Sequence, residues 1–319
     1  PLATETLLVE DFLPERIDFD LSLPDAPIGL TDVPPLRVEA RYLFGAVGAN
    51  LPVEGEVLVR ATDTLAAHPG YRFGRYDTPF SPVLSVLNSD RTDDQGISVL
   101  PVKFPDIPAV TKPVEAQFTV RVSEGSGRPV ERRITRALTP STPMIGIRSL
   151  DKGTVPEGSE AQFDLIAIGP DEALAPMRVK WTLNRVRTHY QWYSSYGNWN
   201  WEPMTRRERV ASGDAMLSPD GPTRVAAGVN WGRYELVVER LDGDFTSSAV
   251  DFYAGWYAPA DASATPDVLD VSLNKESYFP GETAELRLVP RYAGKAMITV
   301  VSNRLIDMKV VDVADGENV

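Results

Sequence analysis

Apolar and polar residues alternate in short runs along this chain. Ile17, Phe19, Leu21 and Leu23 form one run and Leu36, Val38, Ala40 and Tyr42 another; the pattern returns at Phe118, Val120 and Val122, at Leu236 and Val238, and at Val250 and Phe252. A period of two is the mark of a strand with one buried face, because successive side chains point to opposite faces. Pro, Gly, Asp and Asn punctuate the runs, with 27 prolines and 23 glycines in all, and no stretch keeps helical periodicity beyond a few turns. The expected fold is all-β: antiparallel sheets stacked as β-sandwiches, since an open sheet must bury one face.

One phrase occurs twice, about a domain apart. Asp151, Lys152, Pro156, Gly158, Ala161, Phe163 and Leu165 answer Asn274, Lys275, Pro280, Gly281, Ala284, Leu286 and Leu288, and a degenerate third copy spans residues 36–59. Recurrence at that spacing predicts tandem copies of one small fold. Pro and small residues cluster at 138–143 and again at 258–266, which divides the chain into 1–13, 14–140, 141–260 and 261–319. The first piece reads as the tail of a preceding domain. The next two each have room for about seven strands and the last for only about four. The last is therefore expected to be incomplete, its missing strands supplied by downstream sequence or another chain. Pro140, Pro143, Pro259 and Pro266 predict stiff junctions.

Charge and composition narrow the partners. The 319 residues carry 32 Lys and Arg against 45 Asp and Glu, a formal net charge of −13, which repels phosphate backbones and argues against nucleic acid. No apolar run approaches the roughly 20 residues of a membrane-spanning helix. Cysteine is absent, so thiol nucleophiles, zinc-thiolate sites and disulfides are all excluded from this stretch of chain. The chain begins at Pro1 without a leader-like segment, and that start reads as a processed or excised end.

Several ordered phrases carry a family likeness. Val9, Glu10, Asp11, Phe12, Leu13 and Pro14 before an alternating strand resemble the junction between two macroglobulin domains. Ala40, Arg41, Tyr42, Leu43, Phe44 and Gly45, followed by Leu51, Pro52, Val53, Glu54 and Gly55, resemble the second strand and turn of such a domain. Residues 274–288, then Ala293, Gly294, Lys295 and Ala296 with a strand to Val301, are similar to the opening of the domain that bears the bait region in bacterial alpha-2-macroglobulins. The aromatic stretch 190–201 and the run Trp231, Gly232, Arg233, Tyr234 also resemble the bacterial branch.

The resemblance implies tandem macroglobulin domains of fibronectin-III or Ig-like architecture. It also implies a parent protein that inhibits proteases broadly: a bait segment is cut, the molecule rearranges and the protease is entrapped. Proteases would be partners through the parent, neighbouring macroglobulin domains would be partners directly, and no cofactor is expected. The implied location is the bacterial periplasm or cell envelope, compatible with lipid anchoring of the parent. The family's thioester, built on a Cys and a Gln, cannot lie in a chain without cysteine, and no long flexible bait stretch is visible. This segment is thus expected to be non-catalytic scaffold.

Candidate chemistry is sparse. His68 and His189 fall in a turn-rich loop and an aromatic loop, with no serine in a nucleophile-elbow context, and read as two surface imidazoles. The acidic stretch Asn88, Ser89, Asp90, Arg91, Thr92, Asp93, Asp94, Gln95 and Gly96 has oxygens for calcium but not the spacing of an EF-hand, and a turn is preferred. Arg132 with Arg133, and Arg206, Arg207 and Arg209, alternate with Glu131, Glu202 and Glu208 and read as solvated strand faces. The densest aromatic run holds Trp192, Tyr193, Tyr196, Trp199 and Trp201 around Gly197 and Asn198, which predicts a hairpin with its tip there. Trp192 would face Trp199 or Trp201 across the two strands. Such a platform would pack on a neighbouring domain. Alternatively it would bind sugar in a cell-surface adhesion or carbohydrate-binding array.

Overall fold

The computed structural model describes residues 16–256 and 270–319, except 32, 105, 108–109, 126–128, 141, 152, 196–197, 276, 291 and 317, and leaves undescribed the side chains of 189, 190, 195, 203 and 270. The sequence phrase at 9–14 and the junction at 258–266 lie outside the described residues.

The first unit contributes β1 (Ile17–Ser22), β2 (Leu36–Tyr42), β3 (Pro52–Ala61), β4 (Arg72–Phe73), β5 (Val83–Val86), β6 (Asp90–Arg91), β7 (Ile97–Leu100), β8 (Val114–Val122) and β9 (Val130–Leu138). One sheet runs β1-β2-β7 and the other β5-β3-β8-β9, with β6 beside β3. The alternation in β2 decides its faces: Leu36, Val38 and Ala40 are buried, whereas Arg37, Glu39 and Arg41 are in water. Phe19, Leu36 and Val38 from the first sheet meet Val53, Val57, Phe118 and Val120 from the second in one core.

The second unit is built from β10 (Met144–Ser149), β11 (Ser159–Ile168), β12 (Met177–Ser195), β13 (Asn198–Leu217), β14 (Thr223–Val229), β15 (Gly232–Arg240) and β16 (Ser247–Ala254). Its sheets run β14-β11-β10 and β13-β12-β15-β16, all pairs antiparallel. Ile145, Ile147, Phe163 and Leu165 pack against Val179, Leu183, Leu236 and Val238.

The third unit has β17 (Asp270–Leu273), β18 (Leu286–Val289), β19 (Gly294–Val301) and β20 (Leu305–Val313), paired as two separate two-stranded sheets. The repeated phrase has a shared backbone basis. Gly158 and Gly281 occupy matching turns at φ 72° and 93°, a left-handed conformation that favours glycine, and each turn leads towards a strand.

β4 does not belong to the sandwich that its sequence neighbours build. It pairs with β10, Phe73 opposite Gly146 and Arg72 opposite Ile147, and so adds a fourth strand to the second unit's first sheet. Residues 62–82 form a lap that leaves the first unit and lies across the second. Gly146 is required there by close approach, since a Cβ at that position would sit 2.9 Å from the Phe73 ring and 2.8 Å from Ile166.

Candidate interaction surfaces

Beneath the lap lies a small core of its own, formed by Leu65, Tyr71 and Phe73 against Met144, Ile166 and Ile168. β11 is consequently buried on both faces, Leu165 and Ala167 towards the sandwich core and Ile166 and Ile168 towards the lap. Backbone and side-chain bonds sew the lap down. The buried Ser248 hydroxyl donates to the Ile145 carbonyl at 2.5 Å and accepts the Gly74 amide at 2.8 Å, while the Ala249 amide donates to the Gly74 carbonyl. The Arg148 guanidinium lies over the Tyr71 ring at 4.6 Å and also donates to Asp164, which Arg224 bonds from the other side.

A charged cluster closes the same joint. Glu235 is fully buried on β15, flanked by the core residues Tyr234 and Leu236. The Tyr76 hydroxyl donates to it at 2.7 Å, Arg207 Nε at 3.1 Å and Asn184 Nδ2 at 3.3 Å. Arg207 also reaches Asp77, which Arg75 holds with two bonds of 2.8 Å. Burial pushes the Glu235 carboxyl up, but the bonds from Tyr76 and Arg207 outweigh it and leave its pKa below the ordinary value. For Tyr76, burial and then the bond to Glu235 push the phenol up to about 12. Glu235 therefore stays ionised at neutral pH and holds both units by charge-assisted bonds.

These contacts correct two sequence expectations. Arg207 stays exposed but is more than a solvated face residue: it bonds the buried Glu235 within its own unit and reaches Asp77 across the joint. His68 is half-buried, and its Nε2 lies 2.8 Å from the Glu172 carbonyl in the second unit. A carbonyl only accepts, so Nε2 carries the proton. The side chain of His189 lies outside the described residues. In the acidic stretch the Asp93 carboxylate accepts the amides of Gln95 and Ile97 at 2.8 Å each, and the Thr92 hydroxyl donates to the Gly48 carbonyl. Those bonds build a turn. Arg132 reaches Asp18 at 2.9 Å and Arg133 reaches Glu131 at 2.7 Å.

The aromatic run forms the far end of the β12–β13 hairpin. Trp192 stands directly opposite Trp201, Tyr193 opposite Asn200 and Ser194 opposite Trp199, and the strands end at Ser195 and resume at Asn198. Because residues two apart share a face, Trp192, Trp199 and Trp201 lie on one side of the ribbon and Tyr193 on the other. Trp199 is 71% exposed, Trp192 54%, Tyr193 44% and Trp201 37%, so the tip is not buried in the second unit's core. Tyr196 lies outside the described residues.

Among the described residues, the third unit meets the second at a buried cation. Arg287 on β18 donates two bonds of 3.0 Å to Glu157 and lies over the Trp256 ring at 4.4 Å and the Trp231 ring at 5.4 Å. On β19 and β20, Met297, Ile306, Met308 and Val310 are all exposed; Met297 pairs with Val310, so the four share one apolar face of the ribbon.

Comparison with known proteins follows the order of the units. Residues 15–140 match the family described as Bacterial Alpha-2-macroglobulin MG5 domain, and residues 146–256 match Bacterial macroglobulin domain 6. This chain belongs to the bacterial alpha-2-macroglobulin family. Alpha-2-macroglobulin from Xylella fastidiosa (strain 9a5c) is 28% identical over 314 residues, covering 95% of this chain and 19% of the relative. That from Escherichia coli (strain K12) is also 28% identical, over 326 residues, covering 92% and 19%. The native conformation of the E. coli protein, solved by cryo-EM, superposes with a TM-score of 0.64 at 26% identity over 97% of this chain and 21% of that one. The chain thus spans about a fifth of the length of the curated macroglobulins that it matches. The similarity runs past both matched domains into the third unit, and the lap, inside the MG5-matched residues, pairs and bonds with MG6-matched ones.

Proposed function

We propose that this chain is a non-catalytic frame segment of a bacterial alpha-2-macroglobulin, a parent protein that inhibits proteases broadly by bait cleavage, rearrangement and entrapment in the periplasm or cell envelope. The observation that carries this reading is the uninterrupted order of an MG5 match and an MG6 match along a chain of tandem sandwiches. In this reading the chain does no chemistry of its own. Its work is to hold two domains at a fixed angle through the lap and to present the third.

The third unit is the opening of the bait-region-bearing domain, and its two isolated ribbons are completed by further strands. The exposed face of Met297, Ile306, Met308 and Val310 supports this, because an apolar ribbon face in water is stabilised only when covered. Neighbouring macroglobulin domains are the direct partners, and proteases are met only through the parent.

The test uses the full-length parent incubated with an endopeptidase. Entrapment leaves hydrolysis of a small chromogenic peptide largely intact while digestion of a large protein substrate falls steeply. A parent that leaves protein digestion untouched, or that blocks both substrates equally, overturns the proposal.

A further inference from the structure

The β12–β13 hairpin changes character part-way along. From Val179 to Val186, β12 is paired on both sides, with β13 on one edge and β15 on the other. β15 begins at Gly232, and from residue 187 to 195 the hairpin continues as a two-stranded arm of nine rungs. At about 3.3 Å per residue the arm extends roughly 30 Å past the last three-strand rung. The lane beside 187–195 that β15 vacates is an open strand edge among the described residues, and the described side chains along it, including Arg187, Thr188, Gln191, Trp192, Tyr193 and Ser194, are exposed.

The two faces of that edge differ in chemistry. One presents Thr188, Trp192 and Ser194, with Trp201 and Trp199 directly across. The other presents Arg187, opposite Arg206, with Arg185 paired to Glu208 one turn of the pleat closer to the body. Like charges directly opposed on a ribbon are unfavourable, and the nearest carboxylate given to Arg187, Glu208, is a loose 3.7 Å away. Along the nine rungs, residues 187–206, the arm holds two arginines, Arg187 and Arg206, against one glutamate, Glu202, in a chain whose formal charge is −13. The opposed Arg187–Arg206 rung on an acidic body favours acidic residues of a partner at the base of the arm.

We propose that the distal edge of β12 is a strand-addition site for an extended polypeptide segment that alternates apolar and acidic residues. The added strand occupies the lane collinear with β15. Its backbone bonds to the free edge at 187–195, its apolar residues lie against Trp192 and the neighbouring tryptophans, and its acidic residues lie beside Arg187 and Arg206. The ribbon becomes three-stranded, which an isolated two-stranded arm needs for stability.

The probe is a fluorescein-labelled, acetylated and amidated peptide of four Glu-Val repeats, titrated with the 319-residue chain while anisotropy and tryptophan fluorescence are followed. The expected result is saturable binding with a change in tryptophan emission. The same peptide N-methylated at alternate residues, which removes its backbone donors but leaves the protein untouched, should bind about tenfold or more weakly. Trp192→Ala should weaken binding about tenfold and Arg187→Glu several-fold, the latter most at low salt, and a Lys-Val repeat should not bind. The proposal is overturned if the Glu-Val peptide fails to saturate at about 1 mM, if N-methylation makes no difference, or if vesicles of phosphatidylglycerol bind through Trp192 while the peptide does not.

Discussion

The two joints of this molecule are built on different principles. Between the first and second units the lap of residues 62–82 adds a strand to the neighbouring sheet, shares an apolar core and seals a buried carboxylate with donors from both sides. Between the second and third units the interaction centres on one cation, Arg287, held by Glu157 and two indole rings. A joint with its own core resists bending because any hinge motion exposes Phe73 and strips the Tyr76 bond from Glu235. A joint centred, among the described residues, on one side chain should loosen when that side chain is displaced.

The sharpest way to break the contrast is to empty the shared core. Phe73→Ala should cost about 3–5 kcal/mol, because Phe73 is fully buried and a large aromatic truncation leaves a cavity. The expected signature in urea denaturation is a lower midpoint with the two units' transitions separating, followed by intrinsic fluorescence and by hydrogen exchange on β10. A midpoint unchanged within error would mean that the lap is a passive cover. Glu235→Gln should cost about 1–3 kcal/mol by removing the charge from a buried, fully bonded group while keeping its shape. Arg207→Ala in the same background should then add little, since the two residues share one network.

Sequence periodicity was a good guide to the sandwiches and a poor one to the joint. The faces of β2 and β8 follow directly from alternation, and the Gly197–Asn198 signal placed the hairpin end between strands that stop at Ser195 and resume at Asn198. The lap was legible only indirectly. Its own stretch reads as turns, because β4 is two residues long and its partner lies in another unit. The usable signal sits in the receiving strands, where Leu165, Ile166, Ala167 and Ile168 break the alternation with a continuous apolar run, as strands covered on both faces do. Glu235 gave no such warning, since a carboxylate within a strand reads as a solvent-facing residue until the chain that covers it is known. The exposed Trp192 and Trp199 were found as an aromatic cluster, but the open edge beside them follows only from where β15 starts.

At the thinner joint the expected effect is smaller and confined. Arg287→Ala should cost about 1–2 kcal/mol, from two charge-assisted bonds and its ring contacts, and should loosen the third unit while leaving the first joint intact. Proteolytic susceptibility of β17–β20 reads the first effect, and hydrogen exchange on β10 and β15 reads the second. Loss of protection in β10 would show that the joints are coupled and would end the contrast drawn between them.

The smallest effect is a pH dependence specific to the thicker joint. The Tyr76 phenol is raised to about 12 in the folded protein against about 10 in an unfolded chain, so its contribution is fully present below pH 10 and is lost as pH rises from there towards 12. Glu235 has the opposite sign. Its folded pKa is lowered, so its contribution is present above the unfolded value of about 4.3 and is lost as pH falls through the folded value. Part of the Tyr76 ring is in water, which makes its slope shallow. Tyr76→Phe should therefore be about 1 kcal/mol less stable than the parent sequence at pH 7, where the bond to Glu235 is intact, and should flatten the alkaline limb between pH 10 and 12, measured as urea midpoints across pH. It should also flatten the acid limb, though less than Glu235→Gln, which abolishes that group's share, because Arg207 still holds the carboxylate. An alkaline limb identical in both proteins would place the titrating group elsewhere and remove the phenol from the lock.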